Sequence, residues 1–249
     1  MTFEGQVAIV TGAGSERGIG SKTAELLAAQ GCAVVAADLN EEGVQKTAER
    51  IALLGGRAIG VGVNVASEES VQNLVETTLR TYGRIDILIN SAAIGQKKTF
   101  ADMELADWNK IIAIDLNSVY LTCHHVLPYM LQRQYGRIVN ISSISAHTGG
   151  GIMSGSHYCA AKNGVIGLSK GIAREVAKAG ITVNCVSPGA SKTDINGIRF
   201  EDKNVPADIP MGRRGEREEI AAGIVFLSSP EASYITGVNL DINGGAYMA

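Results

Sequence analysis

Three observations predict an α/β fold built on a doubly wound parallel sheet with helices on both faces. Short apolar, often β-branched runs recur along the chain. Longer segments with helical spacing lie between them, and the first run ends in a glycine-rich turn that opens straight into a helix. Such alternation needs crossover connections, which join parallel strands and place helices against the sheet. At 249 residues the chain can bury roughly three quarters of its unfolded surface, so a single domain over residues 1–249 is expected.

The strands are read at Val7–Thr11, Ala33–Ala37, Ala58–Val63, Ile85–Asn90, Arg137–Ser142, Ile181–Val186 and Val238–Ile242. Helical spacing marks Lys22–Gln30, Glu42–Leu54, Glu69–Tyr82, Lys162–Lys178 and Glu218–Ser228. Residues from about 191 to 210 look like a long irregular insertion, and in a doubly wound fold such an insertion is expected to cover a substrate site.

Bulk properties exclude several classes. A net charge of -3 offers no general attraction for nucleic acid. No apolar run approaches the ~18 residues of a membrane span, and the N-terminal stretch lacks the pattern of a signal peptide, so a soluble cytoplasmic protein is expected. The four cysteines lie far apart in no metal-type spacing, and His124 and His125 point in different directions on a helix, so no metal site is predicted.

The turn Thr11-Gly12-Ala13-Gly14-Ser15-Glu16-Arg17-Gly18-Ile19-Gly20 sits where a Rossmann-type fold holds a pyrophosphate. Glycines let the backbone approach closely, and the helix N-terminus supplies free N–H groups with partial positive charge. Asp38 ends the second strand 18 residues after Gly20, about where a carboxylate meets the adenosine ribose of NAD and repels the 2′-phosphate of NADP. NAD is therefore the expected cofactor. NADP stays the alternative because Arg17 could pair with that phosphate, although it could equally be a solvated turn residue.

Removing an alcohol proton as hydride leaves needs a base, and a phenol at its reference pKa of about 10 is a poor one. Tyr158 and Lys162 stand one helical turn apart, where the ammonium can lower the phenol pKa. Ser143 follows the fifth strand, at the carboxyl edge where open α/β sheets bind ligands, and can hold the substrate oxygen. Alone, a Tyr-x-x-x-Lys is more often a surface pair.

These motifs in this order resemble, over essentially the whole chain, the short-chain dehydrogenase/reductases. The resemblance rests on Thr11–Gly20, Asn90-Ser91-Ala92-Ala93, Asn117, Ser143, Tyr158 with Lys162, Pro188-Gly189 with Thr193, and Asn243-Gly244-Gly245. Two departures stand out. The glycine turn is two residues longer than TGxxxGxG, and Asn-Asn-Ala-Gly appears as Asn90-Ser91-Ala92-Ala93.

The resemblance implies a catalytic group of Ser143, Tyr158, Lys162 and Asn117, the last anchoring a water in a proton relay to Lys162. It also implies cofactor contacts from Gly12, Ser15, Arg17, Gly18, Ile19 and Gly20, from Asp38 and Leu39, and from Asn64 and Val65 beside the adenine. Asn90 and Ala92 would border the ribose, with Pro188, Gly189, Ser191 and Thr193 around the carboxamide and Tyr158 and Lys162 completing the set. Ser145, His147 and Met153 are candidates for the substrate pocket, and a homotetramer is the implied assembly. The function expected is hydride transfer between NAD(H) and a secondary alcohol or ketone. The alternatives are an NADPH-dependent 3-oxoacyl-thioester (acyl carrier protein) reductase and, from another class, a non-catalytic nucleotide-sensing protein.

Overall fold

Backbone groups buried in a sheet covered on both faces must pair along strands, and seven strands do so here in the order β3-β2-β1-β4-β5-β6-β9, every neighbour parallel. The computed structural model describes residues 2–150, 154–195, 198–199 and 205–249. In chain order the elements begin β1 (Val7–Thr11), α1 (Ile19–Ala28), β2 (Ala33–Asp38), α2 (Glu41–Leu53), β3 (Arg57–Gly62), α3 (Glu68–Tyr82), β4 (Ile87–Asn90) and α4 (Leu105–Ile112). A π-helical turn (Ala113–Asn117) then leads into α5 (Ser118–Arg133), β5 (Gly136–Ile141), the short α6 (Ser145–Thr148), α7 (Ser156–Val176) and β6 (Ile181–Pro188). A two-residue pair, β7 (Asp194–Ile195) with β8 (Ile198–Arg199), precedes α8 (Arg217–Leu227) and β9 (Asn239–Ile242).

Strand period and burial agree. Along β1, Ile9 belongs to the core under α3, α5 and α7, while Ala8 and Val10 belong to the core under α1, α2 and α8. The first core is filled by Leu74, Val119, Met130 and Val165, the second by Leu27, Val44, Ile51 and Ile224. Helix starts follow local chemistry: Asn40 caps α2, Ser67 caps α3, and capping boxes pair Glu104 with Asp107 and Glu216 with Glu219.

The predicted strands all form, within a residue or two of their expected ends. Between α4 and α5 the helix is continuous in direction but interrupted by the π turn. A buried polar ladder crosses the sheet beneath α5 and α7. Thr122 donates to Asn90, Asn90 to Asn140 and Asn140 to Ser169, each at 2.8 Å.

Before β4, Asp86 is fully buried, accepts the Val7 N–H at 2.9 Å and takes two bonds of 2.7 Å from Arg84. Replacing it with alanine leaves a buried strand N–H unpaired, so Asp86→Ala is expected to lower stability by roughly 3 kcal/mol, measured by urea denaturation. A loss below about 0.5 kcal/mol would show that this anchor is dispensable.

Candidate active site

In this strand order the chain reverses direction between β1 and β4, and the carboxyl ends of the strands open there into a cleft of about 1170 Å³. Thr11 ties its two sides together. Its hydroxyl oxygen accepts the N–H groups of Ser91 and Ala92 at 3.1 and 3.2 Å and donates to the Ile89 carbonyl. Gly12 turns at φ +69°, and a Cβ there would lie 2.7 Å from the Ser91 and Ala92 backbone, so this crossing admits only glycine.

One end of the cleft suits a dinucleotide. Helix α1 starts at Gly18 with no side-chain cap and no acidic residue in its first turn, leaving its N-terminal partial charge open to an anion. Asp38 accepts the N–H of Gly14 at 2.9 Å and of Asn40 at 3.0 Å, which fixes its carboxylate on the cleft wall. Gly12, Ser15, Gly18, Ile19, Leu39, Asn64, Val65, Ala92, Pro188, Gly189, Ser191 and Thr193 line the same cleft. Leu39 is 77% exposed on the cleft wall.

The other end carries the proton-transfer candidates. Ser143, Ser145, Tyr158 and Lys162 line it. Ser143 accepts the Ser145 N–H at 3.1 Å. Ser142, its neighbour, donates instead to the Lys162 carbonyl at 2.8 Å. Lys162 is 2% exposed; its ammonium donates to the Ile141 carbonyl at 3.1 Å and lies 5.6 Å from the Tyr158 ring centroid. Tyr158 is held through its backbone. The Tyr158 N–H donates to His157 Nδ1 at 2.9 Å, so the proton sits on Nε2, which donates to Gln96 at 2.8 Å; Gln96 in turn donates to Asp107.

Several expected residues lie elsewhere. Asn117 is exposed at the end of the π turn, away from the cleft. The side chain that meets Lys162 is Asp115, fully buried, with one oxygen 3.4 Å from the ammonium and the other accepting the Ile94 N–H at 3.0 Å. The wider π turn sets this facing, and Gly164 on α7 leaves room for Leu116 to pack close. His147 stacks on Tyr247 and faces Asn239 and Asp241 rather than the cleft. Asn90 spends its amide in the buried ladder, and Gly20 packs beneath the turn, against the Gly12 carbonyl. Arg17 does not line the cleft and pairs with Asp194 at 3.5 Å. Met153 lies outside the described residues, as do 196–197 and 200–204 of the 191–210 segment; of the described part, Ser191, Thr193, Asp194, Pro206, Asp208 and Ile209 border the cleft.

Burial pushes the Tyr158 phenol above its ordinary pKa; Lys162 pulls it down and Asp115 pushes it further up. Desolvation outweighs the single cation here, so the ammonium offsets part of the rise rather than all of it. Burial pulls the Lys162 ammonium down, but Asp115 and Tyr158 outweigh it and hold the group above its usual value.

Sequence reasoning missed Asp115 and Gln96. A lone carboxylate inside the apolar run Ile111-Ile112-Ala113-Ile114-Asp115-Leu116 was an available signal, whereas nothing local marks Gln96, whose partners lie 11 and 61 positions away. Lys98, which reads as part of a solvated basic turn with Gln96 and Lys97, pairs with Asp107, while Lys97 lines the cleft.

Comparison with known proteins now decides the family. Residues 12–247 match the family model described as Enoyl-(Acyl carrier protein) reductase. The chain is 41% identical to the 3-oxoacyl-[acyl-carrier-protein] reductase FabG of Escherichia coli (strain K12), over 100% of both chains. The chain belongs to the short-chain dehydrogenase/reductases. The FabG reductase of Vibrio cholerae is 39% identical, again over 100% of both chains. A protein of Sinorhizobium fredii named "Uncharacterized short-chain type dehydrogenase/reductase y4mP" is 38% identical over 98% of each. This short-chain dehydrogenase/reductase is therefore an NAD(P)-dependent oxidoreductase acting on alcohol and keto groups. Among the described residues no helix is long and apolar enough to cross a membrane.

Proposed function

We propose that this protein interconverts a secondary alcohol and its ketone with NAD(H), Tyr158 exchanging the proton. The observation that carries this reading is one cleft with Asp38 at one end and Ser143, Tyr158 and Lys162 at the other. The nicotinamide, when bound, supplies or accepts the hydride. In reduction the carbonyl carbon gains hydride while its oxygen takes the Tyr158 proton, leaving a phenolate that solvent reprotonates; oxidation runs the same steps backwards. Ser143 accepts from the Ser145 N–H, which directs its own proton toward the phenol and substrate oxygen. Lys162 points one proton at Ile141 and one side at Asp115, leaving donor capacity for the cofactor ribose and the phenolate.

NAD is favoured by the Asp38 carboxylate on the cleft wall and by the engagement of Arg17 with Asp194. A second reading, reduction of a 3-oxoacyl thioester, is favoured by the full-length likeness to the FabG reductases. Turnover of secondary alcohols, ketones and a short 3-oxoacyl thioester, each with NAD and NADP in parallel, separates the two. We also propose a homotetramer, consistent with Tyr120, Tyr129 and Leu131 left exposed along α5. Sedimentation should give about four times the chain mass of 26.1 kDa, and a concentration-independent monomer would reject this assembly.

Tyr158→Phe is expected to lower turnover roughly 10²- to 10⁴-fold with cofactor affinity nearly unchanged, whereas Lys162→Met should impair both. Alcohol oxidation should rise with pH as the phenol ionises, and ketone reduction should fall. Near-normal turnover in Tyr158→Phe, on a substrate for which chemistry limits the rate, would move the proton transfer to another group.

The ratio of kcat/KM for NAD over NADP should exceed one and shrink at least about tenfold in Asp38→Asn, because the carboxylate's repulsion of the 2′-phosphate is lost. Arg17→Ala should leave the ratio in place. A wild-type preference for NADP that vanishes in Arg17→Ala would overturn the cofactor assignment.

A further inference from the structure

Asp115 is a buried acid beside a buried base, and that base serves a phenol at the cleft wall. Its side chain is fully enclosed by the π turn, the segment after β4, and α7. One oxygen is occupied by the Ile94 N–H; the other lies 3.4 Å from the Lys162 ammonium and has no closer hydrogen-bond partner among the described residues. The titratable groups facing this cluster are Lys162, Tyr158, His157 and Cys159 from α7 and Cys185 from β6. His157 presents a neutral ring, since Nδ1 accepts the Tyr158 N–H and Nε2 donates to Gln96. Burial pushes the Cys185 thiol up to about 11, so it too is uncharged near neutrality. One cation thus faces two potential anions.

Charge counting then gives the consequence. With Asp115 ionised, Lys162 protonated and Tyr158 neutral, the cluster is neutral overall. Ionising Tyr158 would leave a net negative charge on a cluster whose other two members, Asp115 and Lys162, are held out of water, which low polarizability penalises. With an amide in place of the carboxylate, the cluster would start at +1 and the same ionisation would neutralise it.

We propose that Asp115 is a positioning residue that sets the pH range of proton transfer: it holds Lys162 and competes with the Tyr158 phenolate for that cation, so the phenol stays protonated at neutral pH, poised to donate to a carbonyl. The proposal rests on the assignment of Tyr158 and Lys162 above. Burial also raises the Asp115 carboxyl above its usual range, with Lys162 and the Ile94 N–H pulling it back.

The test reads Tyr158 directly, without substrate. The near-ultraviolet phenolate band is titrated in wild type against Tyr158→Phe, and in the Asp115→Asn background against the double variant; each difference isolates Tyr158. The midpoint should fall by about one pH unit or more in Asp115→Asn, and the pH profiles of oxidation and reduction should move to lower pH by the same amount. An unmoved midpoint with a lowered melting temperature would overturn the proposal and leave Asp115 as an anchor for Ile94 only. If Asp115→Asn does not fold, carboxyl-labelled aspartate followed by carbon NMR in the unaltered chain decides. Asp115 should be ionised at neutral pH and its resonance should shift as Tyr158 ionises, whereas a carboxyl that stays protonated through neutrality would overturn the proposal. Failure of the underlying assignment shows separately, as turnover that survives Tyr158→Phe whatever the midpoint does.

Discussion

The ammonium of Lys162, held almost wholly out of water, is the interaction around which the catalytic half of the molecule is arranged. Removing such a charge from water costs several kcal/mol unless oxygen ligands replace the hydration. Here they come from two places, the carbonyl of Ile141 at the end of β5 and the carboxylate of Asp115 from the π turn. Neither is near Lys162 in sequence, so the lysine can be accommodated only when β5, α7 and the α4–α5 junction have all docked. The ordered ammonium is also the cation nearest the Tyr158 ring, 5.6 Å from its centroid.

That docking has its own supports. The ladder from Thr122 through Asn90 and Asn140 to Ser169 joins α5, β4, β5 and α7 by hydrogen bonds inside the core, where an unpaired amide would be costly. Asn90 is therefore more than a residue at the cleft edge: its side chain fixes the spacing of the two central strands from whose ends the site is built. On the other side of the switch point, Thr11 binds the glycine turn to the Ser91-Ala92 segment, so the cofactor end and the chemical end share one rigid floor. The path from Lys98 through Asp107, Gln96 and His157 to the Tyr158 backbone adds a third constraint, on the start of α7.

Much of this was legible in the chain. The strands were readable because each is buried on both faces and so must be a continuous apolar run, and Tyr158, Lys162, Ser143 and Asp38 were readable because strand ends and helical spacing place them. The side chains of Asn117 and His147 point away from the cleft for physical reasons. Asn117 was named by resemblance alone; the π turn leaves its side chain exposed and turns that of Asp115 inward, a local geometry that no spacing in the chain marks. His147 follows β5 at the right height, but its aromatic partner Tyr247 comes from the far end of the chain and draws the ring away.

The sequence by itself determined the parallel α/β architecture, the glycine turn into α1, the acidic end of β2 and the Tyr-Lys pair on one helix, because each depends on local periodicity or backbone freedom. Tertiary structure decided which carboxylate faces the ammonium, that Arg17 is taken up by Asp194, and that burial raises the Tyr158 phenol rather than leaving Lys162 to lower it. Those outcomes depend on distances between segments remote in the chain and on how much water the packing leaves, and neither quantity is written in any local pattern of residues.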